Sequence, residues 1–156
     1  MAVFGFPRTV NEKAARTVAG VVALTGIVAL ATESEWLLLP LAYGFWARVL
    51  TGPTLSPLAQ FATRVVAPRL GPPKEVAGPP KRFAQALGAT MTTAGSVAYV
   101  AGAITIAHVL LALLVVAATL ESVFAFCLGC QIFAGLMRIG LVPEDVCVEC
   151  ANLNFR

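Results

Sequence analysis

The sequence predicts an all-α polytopic membrane protein, with four transmembrane helices and a short amphipathic cytoplasmic helix between spans two and three. Three observations predict it. Hydrophobic residues make up 58% of the 156-residue chain and charged residues only 12%, about half the charge with which a soluble domain dresses its surface. Residues 83–120 contain no Asp, Glu, Lys or Arg; a helix needs roughly 20 apolar residues to cross a bilayer, so this gap holds two crossings. The eleven Lys and Arg residues all fall on one side of a four-span arrangement, which makes that side cytoplasmic.

The chain has room for one domain, residues 1–156. Span one runs about 14–31. It is long for a signal core and is followed by Glu33, Glu35 and more apolar sequence without a persuasive cleavage site, so it reads as a retained helix. Span two, about 36–50, opens on Trp36, an aromatic suited to the headgroup level; Tyr43 and Trp46 read as packing or lipid-facing groups. Spans three and four, about 83–101 and 105–126, are divided by a turn near Ala101 to Thr105. Small residues at Gly88, Gly95, Ala98 and Gly102 let helices approach closely.

Four crossings put the N-terminal tail, a loop at 51–82 and a tail at 127–156 on one side. That side carries Arg8, Lys13, Arg16, Arg64, Arg69, Lys74, Lys81, Arg82, Arg138 and Arg156, with Arg48 near it. Three or five crossings would split the set. Both termini are expected in the cytoplasm and the protein in the plasma membrane. The net charge of +3 therefore points to the bilayer rather than to nucleic acid, since no basic stripe with interleaved aromatics appears.

The loop holds a second signal. Ser56 can cap a helix whose first residue is Pro57. Leu58, Phe61, Ala62, Val65 and Val66 then share one face, opposite Gln60, Thr63 and Arg64, so the helix is expected to lie on the leaflet or against the bundle and to stop before Pro68. Residues 71–80 read as extended and turn-rich. The loop re-enters the membrane at Lys81 and Arg82, basic anchors for anionic lipid.

Ionisable groups inside the spans are costly and are functional candidates by default. Arg48 sits near the cytoplasmic end of span two, where it can snorkel to the interface; it also lies at a depth similar to Glu121 on span four, the spacing of an intramembrane ion pair. His108 lies some 28 Å from Cys127 along a continuous span four and reads as an interhelical hydrogen-bonding group.

The strongest motif is two CxxC pairs, Cys127/Cys130 and Cys147/Cys150, with residues 131–146 between them. This is a zinc-type spacing, because tetrahedral zinc takes two chelating pairs; the chain between the pairs is long enough to fold one onto the other. A reducing cytoplasm favours metal-binding or catalytic thiols over permanent disulfides. The same four cysteines are therefore candidate metal ligands, for zinc first and an iron–sulfur centre second, and candidate redox groups. On a continuous span four Cys127 sits near a helix C-terminus, where the dipole opposes a thiolate; a break near Gly129 would reverse that sign.

VNEKAAR before span one, RVLTGPTLSPLA (Arg48 to Ala59), GPPKRFAQALG (Gly78 to Gly88) and CLGC with LVPEDVCVEC together resemble a bacterial membrane family described as domain of unknown function 4395. The resemblance covers nearly the whole chain. It implies a small polytopic membrane protein and a connection with thioredoxin-like or sulfurtransferase-type proteins, and it implies no reaction and no catalytic residues.

Two functions follow as expectations. One is thiol–disulfide or sulfur handling with a soluble cytoplasmic partner. The other is a structural or accessory subunit of a larger membrane complex, with a four-cysteine zinc site ordering its tail. A small transporter for a sulfur species would require a polar path that the spans do not display.

Overall fold

The computed structural model describes residues 5–147 and is almost wholly helical. Two helices, Glu12–Thr32 (α1) and Ile104–Phe124 (α6), are long and apolar enough to cross a membrane. The other two main helices are Leu38–Thr51 (α2) and Gly78–Val100 (α5). α1 packs on α6, α2 on α5, and α5 on α6. Each pairing is antiparallel: Arg16 near the start of α1 donates to the carbonyl of Ser122 near the end of α6, and Arg48 near the end of α2 meets Gln85 near the start of α5.

Local chemistry sets the ends of these helices. The Asn11 side chain caps α1 by accepting from Lys13 N–H at 3.0 Å, and Glu12 in the first turn is held by Lys74 at 2.7 Å. α2 ends at Gly52, at φ +61° with Pro7 against it. α5 opens with Pro79 and Pro80 in its first turn, where missing N–H donors leave no bond unmade. The turn 101–103 carries Gly102 at φ +80°.

α2 has 14 residues, about 21 Å of helix, and is preceded by a 3₁₀ turn, Glu35–Leu37. α5 is long but carries hydroxyls, and three of these bond back along their own helix: Thr90 to Ala86, Thr92 to Gly88 and Ser96 to Thr92, at 2.8–2.9 Å. α5 and α2 touch closely because Gly88 leaves room for the Phe45 ring. The interior is dominated by small residues and Leu, with Ala29, Leu38, Ala62, Ala89, Ala107 and Leu111 almost completely covered. Outward faces are apolar too: Leu24, Ile27 and Val28 on α1, and Ile106, Val109, Leu113 and Val116 on α6, are all exposed.

Between α2 and α5 the chain forms α3 (Pro57–Phe61), a π turn (Ala62–Val66) and α4 (Ala67–Arg69). Ser56 caps α3, accepting from Ala59 N–H at 3.3 Å, with Pro57 in its first turn. The helical run passes Pro68 instead of stopping before it. The wide π turn ahead of it gives the proline ring room at the preceding carbonyls, where an α turn would clash. The expected face largely holds, with Ala62 buried, Leu58, Val65 and Val66 half-buried and Thr63 and Arg64 exposed, but it is shifted at one side. Ala59, Ala62 and Ala67 turn inward and Phe61 is exposed, because the segment lies against α1 and small side chains allow the closest approach.

A pair of three-residue strands was not legible in sequence. Thr9–Asn11 (β1) runs antiparallel to Glu75–Ala77 (β2), in the register Thr9↔Ala77 and Asn11↔Glu75. It ties the segment before α1 to the start of α5 and closes the end of the molecule that carries Lys13, Lys74 and Lys81.

The helix expected at 105–126 is present, but it does not continue into the cysteine segment, and the break falls ahead of the expected Gly129. α6 ends at Phe124, Ala125 adopts a left-handed conformation at φ 56°, and a new helix, Leu128–Arg138 (α7), folds back against α5. The N–H groups of Ala125 and Phe126 both reach the carbonyl of Leu120, which satisfies the helix end and lets the chain turn. α7 is pinned by Gly129 against the backbone of Ala84 and by Phe133 on Phe83, with ring centroids 5.7 Å apart. Gly140, at φ +78°, follows it, and a 3₁₀ turn (Glu144–Cys147) brings Cys147 into a small core with Ala77 and Phe133.

Candidate functional site

The break before α7 decides the chemistry of the first cysteine pair. Cys127 is the residue that caps α7: its backbone is extended and its Sγ accepts from the N–H of Cys130 at 3.3 Å. The thiol therefore stands at a helix N-terminus, where the dipole and free N–H groups favour negative charge. The expected position near a helix C-terminus is overturned, because the chain breaks at Ala125 rather than running on through the motif.

Cys130, one turn on, places its Sγ 2.7 Å from Cys127 Sγ and donates to it. Both thiols are free. This donation is the largest influence on Cys127 and draws its pKa below the ordinary 9.0, helped by the Lys81 ammonium and the Cys130 N–H, and opposed by burial and the Glu121 charge. Cys130 is pushed the other way, first by the hydrogen bond it gives up and then by burial. The pair is thus differentiated, with a thiolate-prone Cys127 and a proton-holding Cys130.

Next to the pair, Lys81 Nζ lies 2.5 Å from Glu121 Oε1, and both side chains are nearly buried. Glu121 thus has Lys81 as its ion-pair partner. Arg48 gives its Nε–H to Gln85 Oε1 at 2.7 Å, approaches Ser56 Oγ at 3.5 Å and lies over the Phe45 ring, 4.6 Å from its centroid. Arg48 and Glu121 line the same crevice without bonding each other.

Lys81, expected as a basic lipid anchor, is instead nearly buried against Glu121, and Gln85 was not singled out in sequence, although a signal for the pairing existed. Lys81, Arg82 and Glu121 flank the uncharged stretch 83–120, and folding that stretch in half at its turn sets its two ends side by side.

Two spaces meet at Cys127. A cavity of about 520 Å³ opens on the charged end of the molecule, with Lys74, Glu75, Lys81, Phe126, Cys127 and Cys130 in its wall. A narrower crevice of about 260 Å³ lies among the helices, mostly apolar, with Arg48, Gln85, Glu121 and Cys127 at its polar end.

The second expected pair is only partly within view. Cys147 is fully buried and disulfide-bonded, and Cys150 lies outside the described residues. Among the described residues no three His, Cys, Asp or Glu side chains gather as a metal site. A cysteine in a disulfide offers no thiolate to a metal, so a four-thiolate site would need Cys147 reduced.

His108 lies far from the cysteines. Its Nε2 meets Glu35 Oε1 at 2.6 Å and links the start of α6 to the turn between α1 and α2, the interhelical role expected of it. The exposed aromatic residues of α2 and of the turn before it each have a contact: Trp46 Nε1–H donates to Thr93 Oγ1, Tyr43 O–H donates to the carbonyl of Leu55, and Trp36 sits edge-on to Tyr99.

The model of a family described as domain of unknown function (DUF4395) matches residues 10–138. The match spans α1 to α7 and contains Cys127 and Cys130 but neither Cys147 nor Cys150. No curated protein and no solved structure matches the chain.

Proposed function

Because the chain belongs to the domain of unknown function (DUF4395) family, whose description assigns no activity, we propose a function from its own residues: a membrane-embedded dithiol protein that exchanges electrons with a soluble cytoplasmic disulfide of the thioredoxin-like or sulfurtransferase type. The observation that carries this reading is Cys127 capping α7 with Cys130 donating to it. A thiolate at a helix N-terminus with a second thiol one turn away has the two parts that exchange needs, an attacking sulfur and a resolving one.

In the reducing direction the Cys127 thiolate attacks one sulfur of the partner disulfide. The partner's other sulfur leaves as a thiolate and takes a proton. Cys130 then gives up its proton and attacks Cys127 Sγ, and the partner's first sulfur leaves and is protonated in turn. Two electrons pass to the partner, with one proton from Cys130 and one from solvent, and the Cys127–Cys130 pair becomes a disulfide. The charged cavity at this end, with Lys74 and Glu75 in its wall, is the approach for the partner.

The reading includes four crossings, α1, α2, α5 and α6, in the plasma membrane with both termini in the cytoplasm. Two features support the two extra spans. Leu39, Tyr43, Trp46 and Leu50 form an exposed apolar stripe along α2, suited to lipid. Three hydroxyls of α5, those of Thr90, Thr92 and Ser96, bond back within their own helix, as an apolar medium demands. Lys13, Arg16, Arg48, Lys81 and Arg82 gather at one end of the bundle, as the positive-inside rule requires.

The alternative, an accessory subunit with a zinc-ordered tail, rests on cysteine spacing and would require Cys147 as a thiolate. A trapping experiment separates the readings. Cys130→Ser should accumulate a mixed disulfide between Cys127 and a thioredoxin-like substrate, and Cys127→Ser should accumulate none. Equal trapping by both variants, or none by either, contradicts the dithiol reading.

A further inference from the structure

The charged cavity gives a soluble partner access to Cys127, which leaves the second space unexplained. The narrow crevice is walled by Val18 and Val22 of α1, Phe45 of α2 and Leu114 of α6, and Cys127 stands at its polar end. Leu113 and Val116 on its rim are among the exposed apolar residues of α6, so it opens toward the face that meets lipid in the four-span reading. A volume of about 260 Å³ falls just below the roughly 300–1,000 Å³ of pockets for drug-sized ligands. It suits one ring with its tail left outside.

Arg48 is the second observation. It is 5% exposed, and its polar partners are neutral: Gln85 Oε1, and Ser56 Oγ at the limit of hydrogen bonding. Among the described residues no carboxylate lies within 4.0 Å of it: Glu121 bonds Lys81, and its charge reaches Arg48 only across the crevice. A guanidinium carries five donors, and an unpaired charge in such a setting is costly. It therefore stands at the polar end of an apolar crevice with donors to spare, beside a dithiol.

We propose that this crevice binds the head group of a membrane quinone, with Arg48 and Gln85 at its carbonyl end, and that the exchange then runs opposite to the reducing direction: a partner dithiol reduces the Cys127–Cys130 disulfide, and the quinone is the two-electron acceptor that reoxidises the resulting dithiol. This rests on the dithiol reading above. The balance is closed: Cys127 and Cys130 lose two electrons and two protons and form one S–S bond, and the quinone takes both electrons and both protons to become a hydroquinone. The ligand must be lipid-soluble because the crevice is apolar and faces lipid, flat because it lies between packed helices, and a hydrogen-bond acceptor because Arg48 can only donate. On reduction the carbonyl oxygen gains negative charge, which a guanidinium stabilises more strongly than the starting ketone.

The test uses the full chain in detergent, reduced and freed of reductant, with decylubiquinone, whose fully substituted ring resists thiol addition. A parallel arm uses diamide, a small thiol oxidant that needs no binding site. The expected result is one hydroquinone formed per Cys127–Cys130 disulfide. Arg48→Gln, and Arg48→Lys as a gentler variant, should each lower the quinone rate at least tenfold relative to that variant's own diamide rate. Oxidation by diamide but not by the quinone overturns the inference and leaves the dithiol reading standing. Arg48 variants with the wild-type ratio of rates overturn the assignment of the crevice. Failure of both oxidants to form the disulfide overturns the dithiol reading itself.

Discussion

Gly129, the glycine inside the first CxxC, offers the sharpest test of how the site is held. A Cβ added there would lie 2.5 Å from both Cα and Cβ of Ala84 and 3.2 Å from its backbone nitrogen, whereas ordinary contact begins at 3.4 Å. Neither partner is a flexible side chain, so in Gly129→Ala α7 must retreat from α5 by roughly 1 Å, the shortfall from ordinary contact. Overpacking of this kind costs about 1–3 kcal/mol. The retreat also loosens the Phe83–Phe133 contact and shifts the cap at Cys127, and a displacement of about 1 Å at reacting atoms can slow a reaction about 10²-fold. The assay is the rate of Cys127–Cys130 disulfide formation with diamide, beside thermal unfolding followed by circular dichroism. Gly135→Ala is the control, because nothing lies within 4 Å of its added Cβ; on the same helix it should be neutral or stabilising by about 0.5–1 kcal/mol. If Gly129→Ala behaves like Gly135→Ala in both measurements, the packing of α7 on α5 is not what positions the thiols.

Three further outcomes follow from the same geometry. Glu121→Ala leaves Lys81 nearly buried without its partner and should destabilise by roughly 3–5 kcal/mol, whereas the double variant Lys81→Met with Glu121→Leu should recover most of that; a denaturation series over the four proteins measures the coupling. Alkylation of Cys127 should rise with pH to a plateau at a midpoint below the 9.0 of an ordinary thiol, with Cys130 lagging at every pH and Cys130→Ala moving the midpoint upward by removing the S–H donor. The sign also applies to stability: the depressed Cys127 pKa favours the folded state above the unfolded thiol's pKa, and this contribution is lost as pH falls through the folded value. His108→Ala strips buried Glu35 of its partner and should cost about 1–3 kcal/mol, read by thermal unfolding, with the diamide oxidation rate unchanged.

Much of the helical frame was legible from residue patterns. The expected segments at 14–31, 36–50, 83–101 and 105–126 fall on α1, α2, α5 and α6. The Ser56–Pro57 start was read from cap chemistry that depends only on neighbours. What could not be read depends on contacts distant in sequence. Ala125 takes a left-handed turn that no local residue demands, and α7 turns back because Gly129 and Phe133 find Ala84 and Phe83 on another helix. Pro68 reads as a stop until the π turn before it is seen. The pairing of β1 with β2 involves three residues on each side, too few for a period to show. For the site, the cysteines announced themselves by spacing, but their electrostatics reversed once the helix broke before Cys127. Lys81 became the partner of Glu121 through the fold of the uncharged stretch, not through any motif.

The most direct test of the central claim is an equilibrium redox titration of Cys127 and Cys130 on the full chain in lipid, with thiols counted by mass after alkylation and bound metal measured on the same sample. The account predicts a single two-electron transition in which both thiols vanish together and return together, with helix content unchanged and with or without a chelator present. A stoichiometric metal ion that blocks these thiols and is needed to keep the tail folded, or two thiols that never form a mutual disulfide, would contradict it.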